Sequence, residues 1–458
     1  MTRTAILRAV PTGIELPREP LDYFRTLARH PFPFLLESQS DGRFTFMGSN
    51  PYRVLLAKDD RVTDWRAGNE KTKRADFFAL LRDALAEHAV ENDRGLPFPC
   101  GAVGYLGYDL ANRLEKLPHR AIDDRGFPDA FVAFYDRVVM VDRETGRASV
   151  IDLTERAPKR AIDASDYADR FGGTPAMRPE TERPVASNFT RTDYLAAVRR
   201  AKEYIAAGDI YQVNLSQRFA TRTTLDPVDI YRRLRAASPA PFGALLEIGS
   251  RSIISSSPEL FLQKEGRRVV TKPIKGTRRR GLDVADDERL RAELLVSPKD
   301  DAELKMIVDL ERNDLGRVCD YGSVTVPAIK SLESHPTVHH LVATVEGRLR
   351  RGLDSVDLLR ATFPTGSITG APKIRAMEII DELEPTRRAA YTGAIGCLGF
   401  DGNLTLSVAI RIIELHGREA CFQVGGGIVA DSDPEAEFEE TLVKATGIVR
   451  ALGVDLQG

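Results

Sequence analysis

The sequence is poor in the features that mark several common protein classes. Four cysteines occur in 458 residues (Cys100, Cys319, Cys397 and Cys421), far apart and without a Cys-x-x-Cys spacing. They predict neither a zinc ribbon nor a disulfide framework, and a reducing, cytoplasmic location follows most simply. An excess of one charge is missing too: 65 basic against 67 acidic residues leave a net charge of −2. That balance gives no electrostatic footprint for nucleic acid or an anionic membrane. The basic runs at 278–280 and 348–351, with acidic stretches such as 283–288 nearby, read as solvated surface. No window reaches the ~18 consecutive apolar residues that span a bilayer. The opening MTRTAILRAV has no apolar stretch of the kind a signal peptide carries. Internal repeats and low-complexity tracts are also lacking.

What is present is a globular composition, 42% hydrophobic and 29% charged, sufficient for a sizeable core. The segment 154–188 is rich in Pro, Gly, Ala and charge and holds no period. It reads as a linker between an N-terminal region, 1–153, and a C-terminal region, 189–458. Alternation predicts strands over 43–48, 131–141, 210–219, 242–248, 253–256, 391–400, 403–415 and 419–430, with a hairpin turn at Asp401-Gly402. Helical periodicity covers 76–89, a segment capped by Thr192 and stopped at Gly208, much of 286–316, and 434–452 capped by Ser432 or Asp433. Strands joined by hairpins, with helices packed outside, predict an α+β fold with antiparallel sheets.

Several groups in this pattern carry chemistry. Gln212, Asn214, Ser216 and Arg218 share one strand face, which can line a polar cavity. Gly425-Gly426-Gly427 stands between a strand and the last helix, where bare backbone amides can bind a carboxylate. On that helix Glu437, Glu440 and Lys444 share a face, and Phe438, Leu442 and Val449 are expected to meet the core on the other. Taken alone, these features read first as a solvated acidic face after a turn. Glu303 sits one turn before Ile307 in a helix opened by acidic residues, and is expected to point inward, where a carboxylate needs a partner or a metal. Two glutamates from distant helices, completed by substrate oxygens and water, would suit Mg²⁺. Pro273-Ile274-Lys275-Gly276-Thr277 reads as a loop, and Lys275 by itself as a surface lysine.

Taken together in order, Ser256-Ser257-Pro258-Glu259-Leu260-Phe261, the Pro-Ile-Lys-Gly-Thr segment, VDLERNDLGR at 308–317, FPTGSITGAPK at 363–373 and GGGIVADSDPEAEFEETLVK at 425–444 resemble the chorismate-binding family. That family includes anthranilate, aminodeoxychorismate, isochorismate and salicylate synthases. The match covers about 188–452, with a weaker one over the first ~150 residues. The resemblance implies a large body built on two packed, mostly antiparallel sheets. It implies Mg²⁺ held by Glu303 and Glu440, with Glu437 close by through water, neutralising the ring carboxylate of chorismate. Tyr391 and Arg411 would grip the enolpyruvyl carboxylate, Arg suiting a planar bidentate partner. Gly276, Thr277, Thr369, Lys444 and the amides of Gly425, Gly426 and Gly427 would add contacts, and His340 stands where the family has an active-site histidine.

Two positions bear on the branch of the family. The water-using members carry a lysine where this chain has Gln212, which cannot act as a base, so ammonia becomes the natural reagent. Anthranilate synthases typically carry alanine where this chain has Lys275; many aminodeoxychorismate synthases carry this lysine. The resemblance then implies attack of Lys275 on C2 of chorismate while Glu259 protonates the departing C4 hydroxyl. Anthranilate synthesis, releasing pyruvate, is the main alternative, and an idle tryptophan-binding subunit a more distant one. Ile395-Gly396-Cys397-Leu398-Gly399 lacks the spacing of a glutaminase elbow and no His-x-Glu follows, so the ammonia is expected from a separate glutamine amidotransferase subunit in a heterodimer. Leu35-Leu36-Glu37-Ser38 resembles the tryptophan-pocket segment of the family, implying Ser38, Asp41, Gly42, Arg43, Phe44, Pro241, Phe242 and Gly243 as tryptophan contacts.

Overall fold

The computed structural model describes residues 6–16, 19–38, 42–66, 69–154 and 185–456. Asp41 and nearly all of the expected linker therefore lie outside the described residues. Two large sheets, one of thirteen strands and one of twelve, form the body. Among the described residues, every pairing of these strands is antiparallel except that of Ile6–Ile14 with Ala89–Glu91. The first sheet runs from Gln212–Arg222 through Glu419–Ile428, Ile412–His416, Arg251–Ser257 and Phe242–Ile248 into Phe34–Glu37, Phe44–Gly48 and Arg137–Asp142. The second runs from Ile274–Arg279 through Val338–Arg348, Arg268–Lys272, Leu260–Glu265, Leu404–Val408 and Ala394–Gly399 into Gly101–Leu106 and Ala130–Tyr135. Both sheets thus take strands from the N-terminal and the C-terminal regions.

The twofold alternation of strand side chains sorts residues between two cores. Phe34, Leu246 and Ile253 join residues of the second sheet, such as Tyr105, Phe131 and Ile395, in the larger one. Their neighbours Leu35, Leu245 and Ile254 point the other way, onto Phe24, Tyr231, Leu234 and Ile448 of helices Pro20–Leu27, Pro227–Ala237 and Pro434–Leu452. No helix among the described residues is long and apolar enough to cross a membrane.

Several elements differ from the sequence-based expectation. The run 131–141 is two strands, Ala130–Tyr135 in the second sheet and Arg137–Asp142 in the first. The run 403–415 likewise splits into Leu404–Val408 and Ile412–His416, one in each sheet. Apolar residues run up to both crossings and resume directly beyond them, with only Asp136-Arg137 interrupting the first, so alternation does not reveal them. Thr190, not Thr192, caps helix Arg191–Ala206, its side chain accepting from the Asp193 amide. The segment 273–277 is no loop: Ile274–Arg279 is a strand along Val338–Arg348, with a register shift between Lys275 and Thr277. Gly276 supplies the positive φ of 79° there, as a bulge requires. On the last helix, Glu437 lies on the buried flank with Thr441, Ala445 and Ile448 rather than opposite the core.

Candidate active site

The adjacent strands Gln212–Arg222 and Glu419–Ile428 form one wall. Asn214, Leu215 and Ser216 stand opposite Gly427, Gly426 and Gly425. Gly425 is sterically required, since a Cβ there would lie 2.5 Å from the Leu215 carbonyl oxygen, and a Cβ on Gly427 would lie 2.5 Å from Gln212 Nε2 and displace that side chain. Gln212 is fully buried, and neither its Nε2 nor its Oε1 meets a hydrogen-bonding partner among the described residues. Asn214 Oδ1 is in the same condition. Buried amides rarely stay unmatched, so this wall is suited to a polar ligand.

The opposite wall comes from the second sheet. Glu259 precedes strand Leu260–Glu265 and is 4% exposed; burial raises its carboxyl to about 7, opposed by the Ser367 hydroxyl and the Lys275 charge. The Lys275 ammonium donates to the Ser367 carbonyl oxygen at 3.0 Å. Desolvation lowers its pKa, while Glu303 and Glu259 act the other way. Across the bulge, Thr277 Oγ1 is 2.9 Å from His340 Nδ1. Burial and the Arg411 charge hold His340 well below its usual value, so the imidazole is neutral. Its Nε2 has no partner among the described residues.

The segment 363–373 joins the walls. Lys275 binds it at Ser367, and the Thr369 carbonyl accepts from the Asn214 amide at 2.8 Å. It is anchored from helix Pro298–Gly316, where Glu311 Oε1 accepts from Thr365 Oγ1 at 2.6 Å and the Gly366 amide at 2.9 Å, and Asp314 pairs with Lys373. Behind the first wall, the buried Arg388 holds both oxygens of Glu384 (2.8 and 2.6 Å) and donates to the carbonyls of Asn214 and Ile368 at 2.8 and 3.1 Å. Sequence reasoning missed this hub, whose only local trace is the i, i+4 spacing of Glu384 and Arg388.

Two further groups complete the site. Tyr391 is 5% exposed, and burial raises its hydroxyl. Arg411 adopts a positive φ of 52° where the chain passes between sheets, and desolvation lowers it to about 10. No carboxylate among the described residues pairs with this guanidinium, an arrangement that favours an anionic ligand. Glu437 Oε1 accepts from Ser432 at 2.6 Å, and its Oε2 would lie 3.1 Å from a Cβ on Gly426. Glu440 pairs with Lys444 at 2.7 Å, and Lys444 also donates to the Gly425 carbonyl at 2.8 Å. Burial raises Glu303 and Glu437, each further raised by a neighbouring carboxylate, whereas Lys444 offsets burial to leave Glu440 lowered. Among the described residues no three acidic, imidazole or thiol groups converge as a preformed metal cluster. The carboxylates are nonetheless hard oxygen donors in mutual repulsion, a set that fits a divalent cation.

A cavity of about 630 Å³ opens elsewhere between the sheets, lined by Ser38, Arg43, Phe44, Phe242 and Gly243 of the expected tryptophan contacts, together with Phe98 and Lys264. Gly42 and Pro241 do not line it. Arg43 is also held by Asp142 at 3.0 and 2.6 Å. Cys397 is buried in strand Ala394–Gly399.

A family model described as chorismate binding enzyme matches residues 31–450. The chain belongs to the chorismate-binding enzyme family. This family member is 41% identical over 411 residues to anthranilate synthase component 1 1 of Haloarcula marismortui, covering 86% of this chain and 83% of that one. It is 38% identical over 456 residues to aminodeoxychorismate synthase component 1 of Bacillus subtilis, covering 96% and 97%. The crystal structure of anthranilate synthase component I from Streptococcus pneumoniae matches with a TM-score of 0.77 at 32% identity, over 89% of this chain and 92% of that one. The chorismate-binding enzyme thus has the two-sheet α+β fold expected of its family.

Proposed function

We propose that this chorismate-using enzyme aminates its substrate at C4, giving 4-amino-4-deoxychorismate with the enolpyruvyl group retained. The observation that carries this reading is a desolvated lysine, Lys275, beside a buried glutamic acid, Glu259, whose pKa is about 7. Desolvation favours the neutral amine needed for attack, and a carboxyl near neutrality can give up a proton. Lys275 Nζ bonds to C2, the ring double bonds shift, and the C4–O bond breaks as Glu259 protonates the leaving oxygen to water. The added nitrogen returns a proton to Glu259. Ammonia then bonds to C4, the double bonds shift back, and the C2–N bond breaks as lysine leaves with that proton. Neutral His340, Thr277, Gly276, Gln212 and Thr369 line the reacting face, and Tyr391 and Arg411 grip the enolpyruvyl carboxylate. Glu303 and Glu440 would hold Mg²⁺, with Glu437 beside them, the ion competing with Lys444 for Glu440; when bound it neutralises the ring carboxylate.

The ammonia is proposed to come from a separate glutamine amidotransferase subunit, and tryptophan to occupy the 630 Å³ cavity. Anthranilate formation is the second reading, favoured by the identity to the Haloarcula marismortui protein. Incubation with chorismate, ammonium and Mg²⁺ decides between them: aminodeoxychorismate without pyruvate is expected, and anthranilate plus pyruvate overturns the assignment.

A further inference from the structure

The two groups proposed to grip the enolpyruvyl carboxylate come from different chain segments, and one buried side chain ties those segments together. Glu414 lies three residues beyond Arg411, on strand Ile412–His416. Its Oε1 accepts from the Ala390 amide at 2.8 Å, immediately before Tyr391. Its Oε2 pairs with the Arg125 guanidinium, which comes from the N-terminal region. The side chains of Arg125 and Glu414 are 8% and 3% exposed, so solvent does not screen the pair as it would at a surface. Arg125 is itself fixed, its guanidinium 4.6 Å from the Phe127 ring. Nearby, Asp124 pairs with Arg218 and the Arg387 amide donates to the Ile122 carbonyl at 3.0 Å. The Thr392 amide donates to the Ala409 carbonyl at 2.7 Å and the Ala409 amide to the Gly393 carbonyl at 2.8 Å. Those backbone bonds hold the two segments side by side, but the Glu414 carboxylate is what fastens the Ala389–Ala390 peptide, just before Tyr391, to the strand that follows Arg411.

We propose that Glu414 is a positioning residue: held by Arg125, it sets the spacing of Tyr391 and Arg411 and so the fit of the carboxylate between them. This inference rests on the reading of Tyr391 and Arg411 as the carboxylate grip. It gives the N-terminal region a part in substrate binding although none of the residues named for the proposed site belongs to it. The carboxylate accepts two charge-assisted or amide bonds in a dry setting. Replacing it with an amide leaves an acceptor for the Ala390 amide but removes the near charge partner of Arg125, leaving the half-exposed Glu419 at 3.8 Å.

The test uses the full-length chain with Mg²⁺ and ammonium, comparing chorismate with a competitive analogue that keeps the ring carboxylate and carries a methyl ether in place of the enolpyruvyl group. Glu414→Gln is expected to raise KM for chorismate about tenfold, the scale of one charge-assisted hydrogen bond, with kcat within about twofold. The inhibition constant of the methyl ether should stay unchanged. Arg125→Lys, which keeps the charge but loses the planar fork, should give about a threefold rise in KM, and carries the test if the Gln variant does not fold. Equal losses for chorismate and the methyl ether, or a fall in kcat alone, overturn the proposal. Arg411→Lys separates the two levels of inference. If it weakens chorismate but not the ether while Glu414→Gln does not discriminate, the positioning role falls alone. If Arg411→Lys does not discriminate either, the carboxylate grip falls, and the positioning role with it.

Discussion

Replacing Glu259 with glutamine should make the protein more stable and nearly inactive, and the stability gain should appear only above a definite pH. The wild-type carboxyl is 4% exposed and moves from an ordinary 4.5 to about 7 in the fold, chiefly because burial disfavours its charged form. At about 1.4 kcal/mol per pH unit, that change corresponds to about 3 kcal/mol. The sign follows from proton binding: the folded state holds the proton more tightly, so this group's contribution is complete below pH 4.5 and is lost as pH rises towards 7. Glutamine has a similar shape and does not titrate. The stability difference between Glu259→Gln and wild type should therefore be near zero at pH 4, grow through pH 5 to 7, and level off at about 3 kcal/mol in favour of the variant by pH 8. Other raised carboxyls, such as Asp109 at about 7, are common to both proteins and cancel. Urea denaturation of the two proteins over this pH range measures it. Activity should move oppositely, falling by about 10²- to 10⁴-fold in the variant, while wild-type kcat declines as pH rises past about 7. Parallel stability curves for the two proteins would refute the reasoning, because they would mean that the carboxyl is not held neutral by the fold.

Three further outcomes follow. Chorismate and Mg²⁺ without ammonia should leave an adduct of chorismate minus water on the peptide containing Lys275, detected by mass spectrometry; Lys275→Ala should lack it, though direct addition of ammonia can sustain some turnover. Glu303→Gln, or exhaustive chelation of the wild type, should remove most activity without unfolding the chain, and full activity in chelator would rule out the metal. Gly427→Ala places a Cβ 2.5 Å from Gln212 Nε2; it should destabilise by about 1–3 kcal/mol, and pairing it with Gln212→Ala should recover most of that stability in a denaturation assay.

Much of the fold was legible because alternation is a local signal. The strands around 212–222 and 242–248, and the Asp433 cap of the last helix, follow from residues within a few positions of one another. The crossings between sheets at Asp136 and at Ala409–Arg411 were not legible, since both sheets accept the same apolar residues and neither break carries a glycine or proline. The site divides in the same way. Its motifs could be read in order, but their environment is made by distant partners. Nothing near Lys275 announces that its ammonium meets the Ser367 carbonyl, and nothing near Ala390 announces Glu414. The bulge at Gly276 likewise resembles a loop in one dimension, because the strand that organises it lies more than sixty residues further on, opposite Thr277 at His340.

The interleaving of the two regions across both sheets also bears on how the chain is made. Strand Gly101–Leu106, buried at all six positions, needs Ala394–Gly399 on one side, and Phe34–Glu37 needs Phe242–Ile248. A ribosome adding about 5–20 residues each second delivers the first of those partners only after some tens of seconds. Through that interval the newborn N-terminal half carries open, apolar sheet edges, the surfaces on which strands of other chains add. Final assembly is set by pairings of long sequence separation, which close slowly. Chaperone supply and translation speed are therefore expected to govern the yield of active protein more than the stability of the finished fold does, and lower expression temperature to raise it.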